Sequence, residues 1–434
     1  MTSAPPPNER FLTAPRAFLE PQGKPEPGRP HSGDVLMDSR PTSTVSSGLG
    51  KDVRQHYPNA RPPKSTSTVD YVHVTYEDAD AVNALFNKVF KKHRSRHHFD
   101  WKFWQNPAGP PAGSIAREKA TGRCLATGIG QRRRAWVNGK EQFGACLCEV
   151  ASDPEERGGG RMWRETMMDF CFTANDIDGI HWAYGGQSTD SAIKVGERWF
   201  GYRVILELVP WELRLGTRHS LQHRLGALGP TLAPKIAPFL DFFFRRRWRR
   251  RRFQLRATEI NRFSTEFDQL WEKHRDLYPL SFFRDAKTLN WRYVDNPAWG
   301  HRIAEARRDG DLVGYIVWRE WHEHGARIAT VLDFWHGDDH KVILTLLDVA
   351  RRKAFATGCV SLRFAIIEGR PEYHAFRSFR SSRRNPYEDV DRIICTPIPG
   401  STPMNQDPAI YKELETVLDG KNWFYTQGDS DYRD

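Results

Sequence analysis

An eight-residue pattern occurs twice in this sequence of 434 residues. WKFWQNPA at 101–108 and WRYVDNPA at 291–298 share the form W-[KR]-[FY]-x-x-N-P-A, about 190 residues apart. Each copy closes a helix-like stretch, and a residue that precedes proline is a common place for a helix to end. Because the segments around the two copies follow a similar order, the repeat indicates two related units in tandem.

The first unit shows a mixed pattern of strands and helices. Alternating residues at 70–77 predict a strand, and the apolar spacing over 78–93 is that of a helix. Three strand-like segments follow between 114 and 153, and a helix begins after the glycines near 160. A buried strand at 179–187, a short helix and a closing strand complete the unit. This order predicts an α/β fold with a mixed sheet, and a similar order recurs after residue 257.

Composition divides the chain further. Residues 1–66 are rich in Pro, Ser and Thr, so we expect a disordered tail. We expect the first domain over 67–215, a connector rich in Pro, Phe and Arg over 216–256, the second domain over 257–398 and a tail over 399–434.

Charge and cysteine usage narrow the class of protein. The net charge of +11 and the isoelectric point near 9.4 favour acidic partners. The six cysteines contain no C-x-x-C pair and no disulfide-framework spacing, which favours a reducing compartment. The first residues, MTSAPPPNER, lack the apolar core of a signal peptide, and no run of about 20 apolar residues occurs. We therefore expect a cytoplasmic protein.

A glycine cluster stands between a strand and a helix, in EERGGGRMW. Its central residues are Arg157, Gly158, Gly159, Gly160 and Arg161. Glycines let successive backbone N–H groups converge on one anion, and a helix N-terminus favours negative charge. The cluster is therefore either a phosphate cradle or a mobile surface turn.

The stretches VASDPEERGGGRMWRETMMDF and GIHWAYGGQSTDSAIKVGERWFGY resemble the GNAT superfamily of acyltransferases. The family's loop has the form [QR]-x-x-G-x-[GA]; Arg157 and the glycines match it, whereas Met162 replaces the final small residue. Phe200-Gly201-Tyr202 matches the family's closing aromatic-Gly-aromatic element. The resemblance covers 70–215 strongly and 257–398 weakly, and it implies tandem GNAT-like domains.

The resemblance implies an N-acyltransferase, most commonly an N-acetyltransferase, that uses acetyl-CoA or another acyl-CoA and an amine acceptor, without a metal. Glu149 holds the position of the family's carboxylate base on the strand before the loop. The usual tyrosine acid is missing, because Glu197 stands at its place, and Tyr184 is the nearest alternative. Each of the two candidates has a structural alternative: Glu149 as an outward strand residue, Tyr184 as a core aromatic.

The resemblance also implies groups that hold the cosubstrate. Backbone N–H groups from Val150 to Ser152 would polarise the acyl carbonyl, as the family's splayed strand does. Ser188 and Ser191 would bond the pantetheine arm or cap the following helix. The glycine cluster and its two arginines would receive the pyrophosphate.

The second unit departs from this pattern. Asp333 stands where the first unit has Glu149, but two acids, Asp338 and Asp339, occupy the turn before the helix. Acids at a helix N-terminus satisfy its dipole and repel a pyrophosphate, so we interpret this copy as degenerate. His336 and His340 have the spacing of some metal pairs, but no third ligand is evident, and we expect solvated or capping histidines.

The run RRRWRRRRF at 245–253 follows an apolar, proline-containing stretch. It fits a solvated connector, contact of 216–256 with an anionic membrane surface, or, less well, nucleic acid. Two alternative functions follow from this run. One is a related transferase that uses aminoacyl-tRNA, and the other is a non-catalytic GNAT-like protein docked to membrane or nucleic acid.

Overall fold

The computed structural model describes residues 63–434 except for a set of short gaps. These gaps are 157–158, 187–189, 218–220, 223, 247–253, 380–381, 386–387, 399–407 and 432–434. The tail predicted over residues 1–66 therefore lies almost wholly outside the described residues, as do Arg157, Gly158, Ser188 and most of the arginine run. The described residues belong to one compact unit.

The first half contains four helices and six strands among the described residues. In chain order they are β1 (Val69–His73), α1 (Ala79–Phe90), α2 (Arg96–Phe103), β2 (Ala112–Glu118), β3 (Cys124–Val137), β4 (Lys140–Ser152), α3 (Gly159–Asp176), β5 (Trp182–Gly185), α4 (Asp190–Phe200) and β6 (Arg203–Arg214). This order matches the order predicted from the sequence.

The segment between the halves forms helix α5 (Gly229–Arg246). The second half continues with β7 (Leu255–Ile260), α6 (Glu266–His274), β8 (Leu280–Phe282), α7 (Ala286–Leu289), β9 (Arg302–Arg308), β10 (Asp311–Glu323), β11 (Ala326–Trp335), α8 (His340–Ala356), β12 (Ser361–Ile366), α9 (Pro371–Arg377), β13 (Ser382–Arg384) and β14 (Asp391–Pro397). The C-terminal part adds α10 (Pro408–Val417) and β15 (Trp423–Phe424).

The two halves exchange their last strands. The sheet has the order β1-β2-β3-β4-β5-β14-β6-β12-β11-β10-β9-β7, so β14 separates β5 from β6. Strand β6 of the first half pairs with β12 of the second, with Leu213 opposite Leu362, and β14 pairs with β5, with Ile394 opposite Gly185. Each half therefore depends on the other to complete its sheet.

The repeated octets meet at the contact between the halves. The indole of Trp101 donates to the backbone oxygen of Trp291 at 2.8 Å, and the indole of Trp291 donates to the backbone oxygen of Trp101 at 2.9 Å. The two rings stack with centroids 5.3 Å apart. The equivalent atoms of the two copies thus make equivalent bonds, which is the pattern of an approximate twofold axis.

The asparagines of the octets terminate their helices in the same way. The Asn106 carboxamide oxygen accepts from the N–H of Ala108 at 3.0 Å, and the Asn296 oxygen accepts from the N–H of Ala298 at 2.9 Å. Each makes the local turn that lets asparagine precede proline. The repeat seen in the sequence is therefore a repeat in local structure.

The C-terminal part differs from the predicted tail. Residues 423–430 are buried, and strand β15 pairs in parallel with β8. In α10, the carboxylate of Glu413 accepts from the indole of Trp182 at 3.1 Å, at the beginning of β5. This part of the chain consequently covers the first half and reaches the contact between the halves. None of the described helices is long and apolar enough to cross a membrane.

Candidate functional site

Strand β4 carries a bulge at the end that leads toward the glycine cluster. In its pairing with β3, Ile129 lies opposite Glu149 and Gly130 lies opposite Leu147, so Cys148 is an extra residue. A bulge bends its strand and locally interrupts the ladder. The strand therefore changes direction immediately before Glu149.

Strands β4 and β5 separate from the same place onward. Their parallel pairing comprises Ala145 with Ala183 and Cys146 with Tyr184. Beyond this pair, Leu147 and Val150 are only partly buried and pack at the edge of the first-half core. The ladder between the two strands therefore ends at this pair, and Leu147 and Val150 form a partly exposed apolar edge beyond it.

The second half repeats the bulge. In the pairing of β10 with β11, Val317 lies opposite Asp333 and Trp318 lies opposite Val331, which makes Leu332 the extra residue. Asp333 is therefore the structural counterpart of Glu149, as the sequence comparison predicts.

Glu149 is enclosed between two cations. Its carboxylate accepts from the Arg94 guanidinium at 2.5 and 3.3 Å, and the Lys102 ammonium lies 3.5 Å from the same side chain. The Glu149 residue is 1% exposed. The side chain does not face solvent, and both of its oxygens are engaged, so proton transfer to Glu149 would require the charge pair to rearrange.

Asp333 is held in a similar way by Arg284, which precedes Trp291 by seven residues, as Arg94 precedes Trp101. The hydroxyls of Tyr293 and Tyr315 each donate to Asp333 at 3.0 Å. Burial raises the pKa of Asp333, and the positive charge of Arg284 opposes that rise. Asp333 is thus a buried structural acid with a full set of donors.

The C-terminal segment joins both acid clusters. Asp429 bonds to Arg284 at 2.7 Å, and the Asp431 carboxylate lies 2.6 Å from the Lys102 ammonium. The Arg292 guanidinium donates to the backbone oxygen of Ser430. Lys102 and Arg292 occupy the same position in the two octets, so both copies of the basic residue hold this segment.

Tyr184 lies inside an aromatic cluster. Its ring is 4.9 Å from that of Phe282 and 5.6 Å from that of Trp423, and its hydroxyl donates to the backbone oxygen of Asp429 at 2.7 Å. Burial raises the pKa of Tyr184 well above its ordinary value. The core environment matches the alternative role stated for Tyr184, and proton donation from this hydroxyl would require its bond to the Asp429 oxygen to break.

The described part of the glycine cluster begins helix α3. The helix starts at Gly159, and a side chain at Gly160 would meet no atom within 4 Å. Arg161 is exposed. Met162 packs against the small cluster of Val69, Ala116, Leu125 and Ala126. The methionine that departs from the family pattern therefore points into the protein, and it does not occupy the space in front of the helix.

The acids in the loop before α3 are neutralised. The Lys88 ammonium lies 2.9 Å from Asp153 and 2.7 Å from Glu155, and Arg123 pairs with Glu156. These pairs lower the negative potential that the acids would otherwise create beside the helix N-terminus.

The remaining predicted residues that the structure describes lie on β4 and α4. Val150 and Ser152 are on β4, and Ser191 is the second residue of α4. At the end of α4, Gly201 has φ of 68°, a conformation that favours glycine. The closing element Phe200-Gly201-Tyr202 is therefore a helix end with a left-handed glycine.

The corresponding place in the second half is closed. Asp339 caps α8, accepts from the N–H of Lys341 at 2.8 Å, and pairs with Arg308 at 2.6 Å. The ring of Phe424 lies 4.7 Å from Trp335 and 5.6 Å from Phe334, next to the bulge. A carboxylate thus occupies the helix N-terminus, and an aromatic ring from the C-terminal part fills the adjoining space.

The prediction of solvated or capping histidines holds for the exposed His340 and is wrong for His336, neither of whose ring nitrogens has a hydrogen-bond partner among the described residues. His336 is buried, stacks on Phe334 and lies 3.6 Å from Glu372. Within the described part of the chain, no group of three or more potential metal ligands occurs.

Arg94 and Lys102 were not among the residues singled out from the sequence. Their signal is present, since an arginine precedes each repeated Trp by seven residues and a basic residue follows it directly. Sequence comparison of the two copies over a longer window would have found them.

Solved structures share this architecture at low sequence identity. A GCN5-related N-acetyltransferase from Anabaena variabilis superimposes with a TM-score of 0.52 and 10% identity, over 75% of this chain and 72% of that one. N-myristoyltransferase of Saccharomyces cerevisiae with bound myristoyl-CoA gives 0.50 and 10%, over 77% and 84%. A probable N-acyltransferase from Enterococcus faecalis gives 0.50 and 11%, over 76% and 73%.

The chain has a GNAT-type fold. No family model and no curated protein sequence matches this one. The similarity to these solved structures confirms the fold class that the sequence predicts.

Proposed function

We propose that this protein is an acyl-CoA-dependent N-acyltransferase whose cosubstrate binds in the first half. The observation that carries the proposal is the contrast between the two bulged strands. The first leads to a helix start with free space at Gly160 and the exposed Arg161, whereas the second leads to a start capped by Asp339. The second half then acts as a degenerate copy that shapes the site.

The first half offers what a CoA pyrophosphate requires. A helix N-terminus supplies unpaired N–H groups and the positive end of the dipole, and the glycines allow close approach. Arg157 and Arg161 would add charge-assisted hydrogen bonds. The pantetheine arm would pack on the partly exposed apolar residues Leu147 and Val150, with Ser188 and Ser191 as candidate partners.

The chemistry at the thioester requires a polarised carbonyl and a route for the amine proton. The bulged backbone from Val150 to Ser152 is our candidate for carbonyl polarisation. Glu149 is retained as the candidate proton acceptor, and Tyr184 as the candidate acid. Both side chains are engaged in bonds that would have to open.

Binding of CoA can be tested with a variant that disturbs charge and leaves packing intact. Gly160→Glu places a carboxylate where the pyrophosphate would sit, and free space at this position accepts the side chain. Isothermal titration with acetyl-CoA and with longer acyl-CoAs is expected to show binding to the unaltered protein. In the variant, affinity should fall at least about tenfold, or about 1.4 kcal/mol.

Gly160→Ala is the matched control, because its methyl group also meets free space and carries no charge. It should bind as the unaltered protein does, and both variants should keep the melting temperature. Equal affinity of Gly160→Glu and Gly160→Ala would show that the cosubstrate binds elsewhere.

The titration also separates the alternative functions. Absence of binding to every acyl-CoA, together with turnover of aminoacyl-tRNA, would support the tRNA-dependent alternative. Binding of CoA without acylation of any amine in a panel of amino sugars, amino acids and polyamines would support a non-catalytic protein. The length of the preferred acyl chain would follow from the same series.

A further inference from the structure

Helix α5 reverses the usual arrangement of a surface helix. Among residues 229–242, whose burial the structure describes, the buried ones are Gly229, Ala233, Ala237 and Asp241, which recur every four positions and are small or charged. A surface helix normally buries its large apolar residues. In α5 the face that packs on the protein therefore has little hydrophobic area.

The large apolar residues of α5 point outward. Ile236, Phe239, Leu240 and Phe242 are 38%, 65%, 39% and 54% exposed, and Leu228, just before the helix, is 62% exposed. Positions 236, 239 and 240 have the spacing of one helical face. Exposed patches of this kind mark contact with a partner or a membrane.

The inward face is fixed by a specific bond. The Asp241 carboxylate accepts from the backbone N–H of Thr217 at 2.8 Å, at the end of the first half. This bond and the small residues beside it determine which face of α5 packs inward. The outward position of the phenylalanines is therefore set by the fold.

The sequence of this segment carries charge almost entirely of one sign. From residue 216 to residue 253 the sequence contains seven arginines in the run 245–252 and a single acid, the buried Asp241. Exposed Phe, Ile and Leu beside dense arginine are the features of a helix that lies in a membrane interface. Anionic headgroups attract such a basic segment.

We propose that the exposed apolar face of α5 docks the protein on an anionic lipid bilayer. This face enters the interface, and the basic composition of the segment 216–253 favours anionic over neutral headgroups. Aliphatic Ile236 and Leu240 favour lipid over nucleic acid, because stacking on bases requires aromatic or guanidinium planes. The proposal is independent of the acyltransferase function and would place the site next to membrane-bound acceptors.

Vesicle co-sedimentation of the full chain tests this surface. Binding to vesicles of phosphatidylcholine mixed with phosphatidylglycerol is expected to be at least about tenfold tighter than to phosphatidylcholine alone. The double variant Phe239→Ser/Phe242→Ser should weaken binding to anionic vesicles by at least about tenfold, since it removes two inserted rings. Replacing Arg249, Arg250 and Arg251 by Gln should weaken it as well and reduce its salt dependence.

The matched control is Phe90→Ser, which removes a ring that is 43% exposed on α1. It should bind vesicles as the unaltered protein does, and circular dichroism should show native melting for all variants. Equal binding to neutral and anionic vesicles, or no binding, would overturn the proposal. So would vesicle binding that the phenylalanine variant leaves unchanged, or a dimer in solution that this variant dissociates.

Discussion

Trp291→Ala is expected to lower the free energy of unfolding by about 3–5 kcal/mol, the range for removal of a buried Trp. Trp291 is 6% exposed, stacks on Trp101 and exchanges two hydrogen bonds with it. Alanine at 291 removes the ring, and it also leaves the backbone oxygen of Trp101 without its donor. Urea unfolding followed by far-UV circular dichroism measures the loss.

The two tryptophans should also be energetically coupled. In a double-mutant cycle of Trp101→Phe and Trp291→Phe, each single change removes one indole donor and keeps most of the stacked area. We expect an interaction energy of about 0.5–3 kcal/mol, as for residues in direct contact. The control for Trp291→Ala is Trp321→Ala. Because Trp321, on β10, is only partly buried, its replacement should lower the free energy of unfolding by less.

We also expect a single transition in the unfolding curve. Because β6 and β14 complete each other's sheets, the two halves should unfold in one transition, and Trp291→Ala should shift that transition without splitting it. Two separate transitions in the unaltered protein would contradict the strand exchange as a source of cooperativity.

The repeat allowed one part of the fold to be predicted from the sequence. The octets identified two units, and the similar order of elements in the two units placed Asp333 opposite Glu149, where both strands carry a bulge. The helix starts at Gly159 and His340 also follow from local chemistry, because glycine and Asp339 act within a few residues. These features depend on residues that are close together in the sequence, so the sequence alone can predict them.

The strand exchange could not be predicted from the sequence in this way. The apolar alternation of β6 is the same whether its neighbour is β5 or β12, so the pattern cannot specify the partner. The sequence also gave little indication that the segment 423–431 is buried, because its partners are distant in the sequence. Its strand has two residues, and its polar Thr426 and Asp429 are satisfied by Arg284, which lies more than 140 residues earlier.

At Glu149 the structure shows contacts that the sequence does not predict. A carboxylate that follows two cysteines, on the strand before the glycine cluster, predicted a base with a desolvated side chain. Desolvation is present, but so are Arg94 and Lys102, which come from α2 and the turn before it. Only the packing of α2 against β3 and β4 brings those cations to the acid.

Arg94→Met is therefore expected to destabilise the protein by about 3–5 kcal/mol, because it leaves a buried carboxylate without its guanidinium. The side chains of Arg94 and Glu149 are 4% and 1% exposed, so solvent cannot replace the lost charge. The double variant Arg94→Met/Glu149→Met removes both charges and should regain a large part of the stability, while Lys102 keeps its contact with Asp431. Chemical unfolding of the three proteins measures this recovery.

The same double variant distinguishes a structural Glu149 from a catalytic one. If Glu149 mainly neutralises Arg94, the stabilised double variant should keep acyl-CoA binding and measurable transfer to an amine, with an unchanged pH profile. If Glu149 accepts the amine proton, the double variant should fold and bind acyl-CoA but lose turnover by about 10²–10⁴-fold, the usual contribution of a general base. The bidentate contact with Arg94 favours the first result, because a proton on Glu149 would leave the buried guanidinium without its counter-ion.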